Sequence, residues 1–250
     1  EISLGLVGSE MCIRDSDQME ELKQKEYQTK QLLNRAEYKA LQAQVNPHFL
    51  YNTLDTMASI AEIRNCPEVS HMSQSLALIF RYSLNMKDPF STVENEIAHL
   101  KNYIYVMDMR MHDNIQYTFD VDEMTLKSKL PRLSLQPIVE NAINHGLRNK
   151  RGKKKIGIQI KREQMDLVIC IEDNGIGLDT SAINESLRKN ELDFVEKGNS
   201  IGLHNINARL KMLYGNQYGM HLESMLGEGT KVFMILPDRG EDSNNEEKDI

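Results

Sequence analysis

The stretch Leu135-Gln136-Pro137-Ile138-Val139-Glu140-Asn141-Ala142-Ile143-Asn144-His145-Gly146 is the most telling in the chain. Its apolar residues keep a helical period, so the pattern predicts a helix over 134–147. Asn141, Asn144 and His145 fall at i, i+3 and i+4, which projects three polar groups together from an otherwise apolar helix. Polar side chains on a helix packed against a sheet cost desolvation unless something binds them. Mg²⁺ with nucleotide oxygens is one candidate, because this ion keeps several waters and accepts only one or two protein oxygens. A capped helix with solvent-facing amides is the other reading of the same letters.

Downstream, the period changes to that of strands over 155–162, 166–172, 220–225 and 231–236, with a helix over 203–214. This order predicts an α+β sandwich of one mixed sheet against helices. Asp173-Asn174-Gly175-Ile176-Gly177 follows the apolar run 167–171. A carboxylate at a strand end can accept a hydrogen bond from an exocyclic amine, while glycines let the backbone approach a flat ring. A plain strand-ending turn gives the same residues. Gly198-Asn199-Ser200-Ile201-Gly202-Leu203-His204-Asn205 opens the last helix, where free N–H groups and the positive dipole end suit a phosphate. Gly227-Glu228-Gly229-Thr230 is explained by a hairpin turn unless Thr230 touches a ligand. Arg148 to Lys155 carries six basic residues in eight positions, a solvated loop that can also lend field to nearby phosphates.

Upstream, residues 17–64 hold no glycine and only Pro47 among good helix formers, which predicts a helix of roughly 45 residues that needs a partner helix. Leu50, Leu54, Met57, Ala58 and Ala61 form its apolar stripe. A second helix over 67–86, with Met72, Leu76, Ile79 and Phe80 on one face, completes a hairpin. Two such hairpins make a four-helix bundle. His48, Asn52, Asp55 and Ser59 share the side away from Leu50 and Leu54, which places the imidazole in solvent. An exposed imidazole is partly neutral at pH 7 and is then a nucleophile. An ordinary surface histidine after an Asn46-Pro47 cap is the plainer alternative. A further helix over 93–111 leads into a strand over 115–121, and a boundary is expected near 87–92.

The 250 residues carry 40% apolar and 27% charged side chains, enough for one or two packed domains, and no run long enough to span a bilayer as a helix. The net charge of −7 argues against a nucleic-acid surface, so an anionic ligand must be held by local groups. Cys12, Cys66 and Cys170 are too scattered for a disulfide framework or a zinc site. Residues 1–16, EISLGLVGSEMCIRDS, lack the order of a signal peptide, and MCIRDS matches what a transposon end used in sequencing libraries encodes in one frame. The natural sequence is therefore expected to begin near Asp17, with its true upstream part missing. The polar, acidic residues 238–250 are expected to form a disordered tail.

In their order along the chain, these motifs resemble the sensor histidine kinases of the LytS/YesM type, over about residues 30–237. LQAQVNPHFLYNTL around His48 and LQPIVENAINHG around Asn141 carry the resemblance most specifically. It implies a dimerisation and phosphoacceptor domain over 17–90, a connecting helix over 91–113 and a GHKL-type ATP-binding domain over 114–237. His48 would be the phosphorylated residue and Asn141 the Mg²⁺ ligand, with Asn144 and His145 near the phosphates. Asp173 would bind the adenine amine beside Gly175 and Gly177, and Thr230 would complete that pocket. Residues 178–201 would form a lid, closed by Gly202 and Leu203 over the triphosphate.

Phe49 stands where many other histidine kinases place an acidic residue, and Asn52, one turn away, could orient the imidazole. ATP hydrolases of the same fold carry a water-activating Glu four residues before the Asn; here that position is Pro137. Attack by His48 is therefore the expected chemistry, with ATP and Mg²⁺ as cofactors and a response-regulator aspartate as the next acceptor. A homodimer with no nucleic-acid partner is expected, as the cytoplasmic portion of a protein anchored in the membrane through the missing part. The rival is a non-catalytic GHKL-fold module that binds ATP and signals by conformation.

Overall fold

A computed structural model describes residues 47–84, 88–111, 114–189 and 201–238. The adaptor-like segment, the part of the expected first helix before Pro47, Gly198 to Ser200, most of the second half of the expected lid and the expected tail beyond Asp238 lie outside the described residues. The chain divides into two compact units, Glu1–Thr53 and Leu54–Ile250.

Helix α1 (Pro47–Ile63) runs across that division and α2 (Pro67–Leu84) follows. Asn65 ends α1 in the left-handed region at φ 54°, and the Cys66 N–H closes back on the Ala61 carbonyl at 2.9 Å. Ser70 and Gln74 of α2 both donate to Glu62 of α1, at 3.1 and 3.2 Å. The sequence therefore makes its hairpin where predicted. Of the expected stripe, Leu54, Ala58 and Ala61 are buried, whereas Met57 is 51% exposed.

After β1 (Phe90–Thr92) comes α3 (Val93–Met111), then β2 (Ile115–Val121) and β3 (Lys129–Pro131). The next helix, α4 (Gln136–Asn141), passes into a π-helical turn over Ala142–Gly146. Strands β4 (Lys154–Glu163) and β5 (Asp166–Asp173), helices α5 (Ser181–Lys189) and α6 (Ile201–Tyr214), and strands β6 (Gly219–Met225) and β7 (Gly229–Pro237) complete the chain.

The main sheet has the order β2-β4-β5-β7-β6, parallel only between β2 and β4. β1 and β3 pair antiparallel on their own. Strand alternation gives the sheet one apolar face: Ile156, Ile158 and Ile160 on β4, Leu167, Ile169 and Ile171 on β5, and Val232, Met234 and Leu236 on β7. These meet Leu100 and Ile104 of α3, Ile138, Val139 and Ile143 of the α4 segment, and Ile206 and Leu210 of α6 in one core. Each fully buried Leu or Ile contributes about 1.5–3 kcal/mol. The fold is thus a helical hairpin followed by a mixed α/β layer pair.

Candidate functional site

The alternation that builds the core also places the site. On β5 the inward residues are Leu167, Ile169 and Ile171, and Asp173 is next in the same parity at the strand end. On β7 the inward series Leu236, Met234 and Val232 ends at Thr230, which pairs directly with Asp173. A carboxylate and a hydroxyl residue therefore sit where the apolar face gives out, beneath the end of the α4 segment.

Asp173 accepts a 2.7 Å hydrogen bond from the Gly175 N–H. Burial pushes its carboxyl above the ordinary carboxylate range, against the pull of the Gly175 and Thr230 backbone and of Lys150. Room for the carboxylate comes from Gly146, where a Cβ would lie 2.7 Å from Asp173 Oδ1. The Gly146 carbonyl in turn tucks against Gly175 and accepts from the Ile176 N–H at 3.1 Å. Gly177 sits at φ +65°, and a Cβ there would run into the Met225 carbonyl.

Above this floor, Leu147 N–H bonds to the Ala142 carbonyl at 2.8 Å, closing the π turn. Single π turns inside α-helices recur at functional sites, and nothing in the residue pattern signals this one. Asn141, Asn144 and His145 all line the same cavity of about 570 Å³ as Asp173, Gly177, Leu203 and Thr230. The predicted polar face thus exists, although the wider turn replaces the regular helix expected over 134–147. Gly175 stands behind the wall, and Gly202 faces Pro137 rather than the cavity. Arg148, at the start of the basic run, also lines it.

The apolar wall includes Ile138, Ile171, Ile183, Leu222 and Val232, a surface suited to a flat ring. Ile183 comes from α5, a helix the sequence did not reveal inside the expected lid. That helix is tied down: Ser186 Oγ and His204 Nε2 lie 2.8 Å apart, Asn207 donates to the Leu187 carbonyl at 2.8 Å, and Lys211 Nζ caps Leu187 and Arg188 at 2.6 and 2.9 Å. His204 is accordingly a buried structural residue.

In the first unit, His48 is exposed on the opening turn of α1. The Asn52 amide nitrogen lies 3.2 Å from Nδ1 and 3.4 Å from Nε2 of its ring. Asp55 and Ser59 are exposed too, so the predicted solvent side is observed.

Sequence reasoning missed Glu96. It is fully buried on α3, among Val93, Ile97 and Leu100. A carboxylate at i+3 on an apolar stripe was the signal that could have found it.

Among the described residues no helix is long and apolar enough to cross a membrane, and no cluster of three or more His, Cys, Asp or Glu could hold a metal ion. Two family models match the chain, "Histidine kinase" over residues 36–115 and "Histidine kinase-, DNA gyrase B-, and HSP90-like ATPase" over residues 129–240. The sensor histidine kinase YesM of Bacillus subtilis (strain 168) is 32% identical over 221 residues, 88% of this chain and 37% of that protein. The sensor histidine kinase YpdA of Escherichia coli (strain K12) is 34% identical over 214 residues, 85% of this chain and 36% of that protein. The chain thus spans a little over a third of the length of these relatives. Among solved structures, the catalytic domain of histidine kinase ThkA aligns with 62% of this chain and 100% of its own, at TM-score 0.46 and 15% identity. The chain belongs to the GHKL-fold sensor histidine kinases of the LytS/YesM type.

Proposed function

We propose that this chain is the kinase portion of a two-component sensor: it transfers the γ-phosphoryl group of ATP to His48 and then to an aspartate of a response regulator. The observation that carries the reading is the single cavity that joins Asn141, Asn144 and His145 to Asp173 and Thr230. Asp173 would accept from the adenine amine, and the apolar wall would take the ring. Arg148 and His145 would face the phosphates.

The donor set fits Mg²⁺: Asn141 offers one neutral oxygen at the cavity, and this ion takes one or two protein ligands and completes its shell with phosphate oxygens and water. When bound, Mg²⁺ neutralises charge on the phosphate oxygens. The chemistry left to the chain is nucleophilic. An imidazole nitrogen attacks the γ-phosphorus, the bond to the bridging oxygen breaks, ADP leaves, and the ring proton is lost from the imidazole. With its amide oxygen toward the ring, Asn52 would accept Nδ1–H and leave the Nε2 lone pair free. Pro137, where a water-activating carboxylate would otherwise stand, supports phosphorylation over hydrolysis.

A dimeric four-helix bundle, and membrane attachment of the whole protein with this portion in the cytoplasm, belong to the same proposal. Apolar residues exposed on the hairpin support the former. The test is incubation of the 250-residue chain with γ-labelled ATP and Mg²⁺. Acid-labile, alkali-stable label that disappears in His48→Gln is expected. Acid-stable label, or label retained in that variant, defeats the proposal.

A further inference from the structure

Away from the cavity, the buried Glu96 side chain accepts four hydrogen bonds. One carboxylate oxygen accepts the Leu133 N–H at 2.7 Å and the Tyr82 hydroxyl; the other accepts the Ser134 and Leu135 N–H groups at 3.0 and 3.3 Å. Leu135, at the start of α4, offers no capping side chain of its own. Glu96 of α3 therefore supplies from a distant part of the chain the acceptors that a local Ser or Asp supplies at most helix starts.

The fourth donor comes from α2. Tyr82 is held from several sides: the Arg132 guanidinium stacks over its ring at 4.1 Å and donates to its carbonyl at 2.7 Å, and His99 stacks on it at 4.4 Å. His99 is bonded in turn to Gln136 Oε1 at 2.7 Å, and Arg209 of α6 donates to Ser134 Oγ at 3.0 Å. Helix α2 of the hairpin, α3 and the start of α4 thus meet at one buried carboxylate, and α6 joins them through Ser134. The other end of the α4 segment carries Asn141, Asn144 and His145 into the cavity.

We propose that Glu96 and Tyr82 are positioning residues that fasten helix α2 of the hairpin to the nucleotide-binding α4 segment, so that nucleotide in the cavity and the placement of α2 are coupled. The proposal rests on the cavity being the nucleotide site. A short, capped helix moves as a body, so a shift at Asn141 is felt at its capped end and, through the shared carboxylate, at Tyr82. Tyr82→Phe removes only the hydroxyl, with its bonds to Glu96 and Ser91, and leaves both ring stacks.

The test is hydrogen exchange across Pro67–Leu84 in the 250-residue chain, with and without Mg²⁺ and a non-hydrolysable ATP analogue, together with the affinity for that analogue. Nucleotide is expected to slow exchange in α2 of the parent by at least about fivefold, and this protection is expected to vanish in Tyr82→Phe while affinity stays within about twofold. Glu96→Gln, which keeps volume and one acceptor oxygen, is expected to show an intermediate loss. Equal protection in parent and Tyr82→Phe, absence of protection in the parent, or affinity falling in step with protection overturns the proposal. The readout needs only nucleotide binding, so failure to label His48 would sink the kinase reading and leave this result standing.

Discussion

Asp173 and Thr230 stand opposite each other in the β5–β7 ladder, each the last inward-facing residue of its strand. Two motifs far apart in sequence are thus brought together by register alone.

Burial holds the Asp173 carboxyl above its ordinary range, so the folded chain binds this proton more tightly than the unfolded chain. Its ionisation then costs stability as pH rises from the unfolded value of about 3.9 through the raised folded one. Asp173→Asn removes that cost and keeps an acceptor for the Gly175 N–H. The Tm of the variant minus that of the parent should grow across this window and level off above it; a difference flat in pH contradicts the assignment. At pH 7 the same variant should lose about tenfold or more in ATP affinity, because an amide nitrogen can face the exocyclic amine.

Gly177 and Gly152 separate backbone conformation from space. Both have positive φ, but a Cβ at Gly152 meets nothing within 4 Å, whereas at Gly177 it runs into Met225. Gly152→Ala should cost about 1–2 kcal/mol in urea denaturation and leave nucleotide binding intact. Gly177→Ala should cost more and abolish binding. Equal effects would show that close approach at Gly177 is unimportant.

How far the sequence foretold this is clearest at these residues. Strand alternation and the Asp173 and Thr230 motifs were legible because period and burial are local properties of a strand. The hairpin was legible for a similar reason, each of its helices carrying its own apolar period. The π turn after Asn141 was not, because one extra residue per turn leaves the apolar pattern nearly unchanged. Nor was the Glu96 cap, whose partners lie some 37 to 39 residues away in the chain. Helix α5 was hidden because it is held by Asn207, Lys211 and His204 of another helix rather than by its own propensity.

Asn141, the last residue of α4 before the π turn, lines the cavity. Asn141→Ala should leave metal-free nucleotide binding largely intact while removing the gain in affinity that Mg²⁺ confers. Titration of ATP with and without Mg²⁺ measures both. An unchanged Mg²⁺ effect would take Asn141 out of the metal site.

The Asn52 amide lies within hydrogen-bonding distance of the exposed His48 ring, and neither residue lines the cavity. Asn52→Ala should therefore slow labelling of His48 by about tenfold and leave ATP affinity unchanged. A parallel fall in affinity would mean that Asn52 acts on nucleotide binding and not on the imidazole.

Met57 and Ile60 are 51% and 54% exposed three residues apart on α1, and Val69 and Leu78 of α2 are 50% and 46% exposed. Helices that leave such residues in water have unspent hydrophobic free energy, about 1.5–3 kcal/mol for each side chain fully covered. A second copy would cover them twice over by symmetry. Replacing both Met57 and Ile60 by Lys removes that gain and places four charges in the contact. Since about 1.4 kcal/mol is tenfold in affinity, the dimer constant should weaken by at least about a hundredfold. Sedimentation at micromolar concentration should then show a dimeric parent and a monomeric variant, with equal ATP affinity, because the cavity is built from residues 138–232. A double variant that still sediments as a dimer would remove this face from the interface.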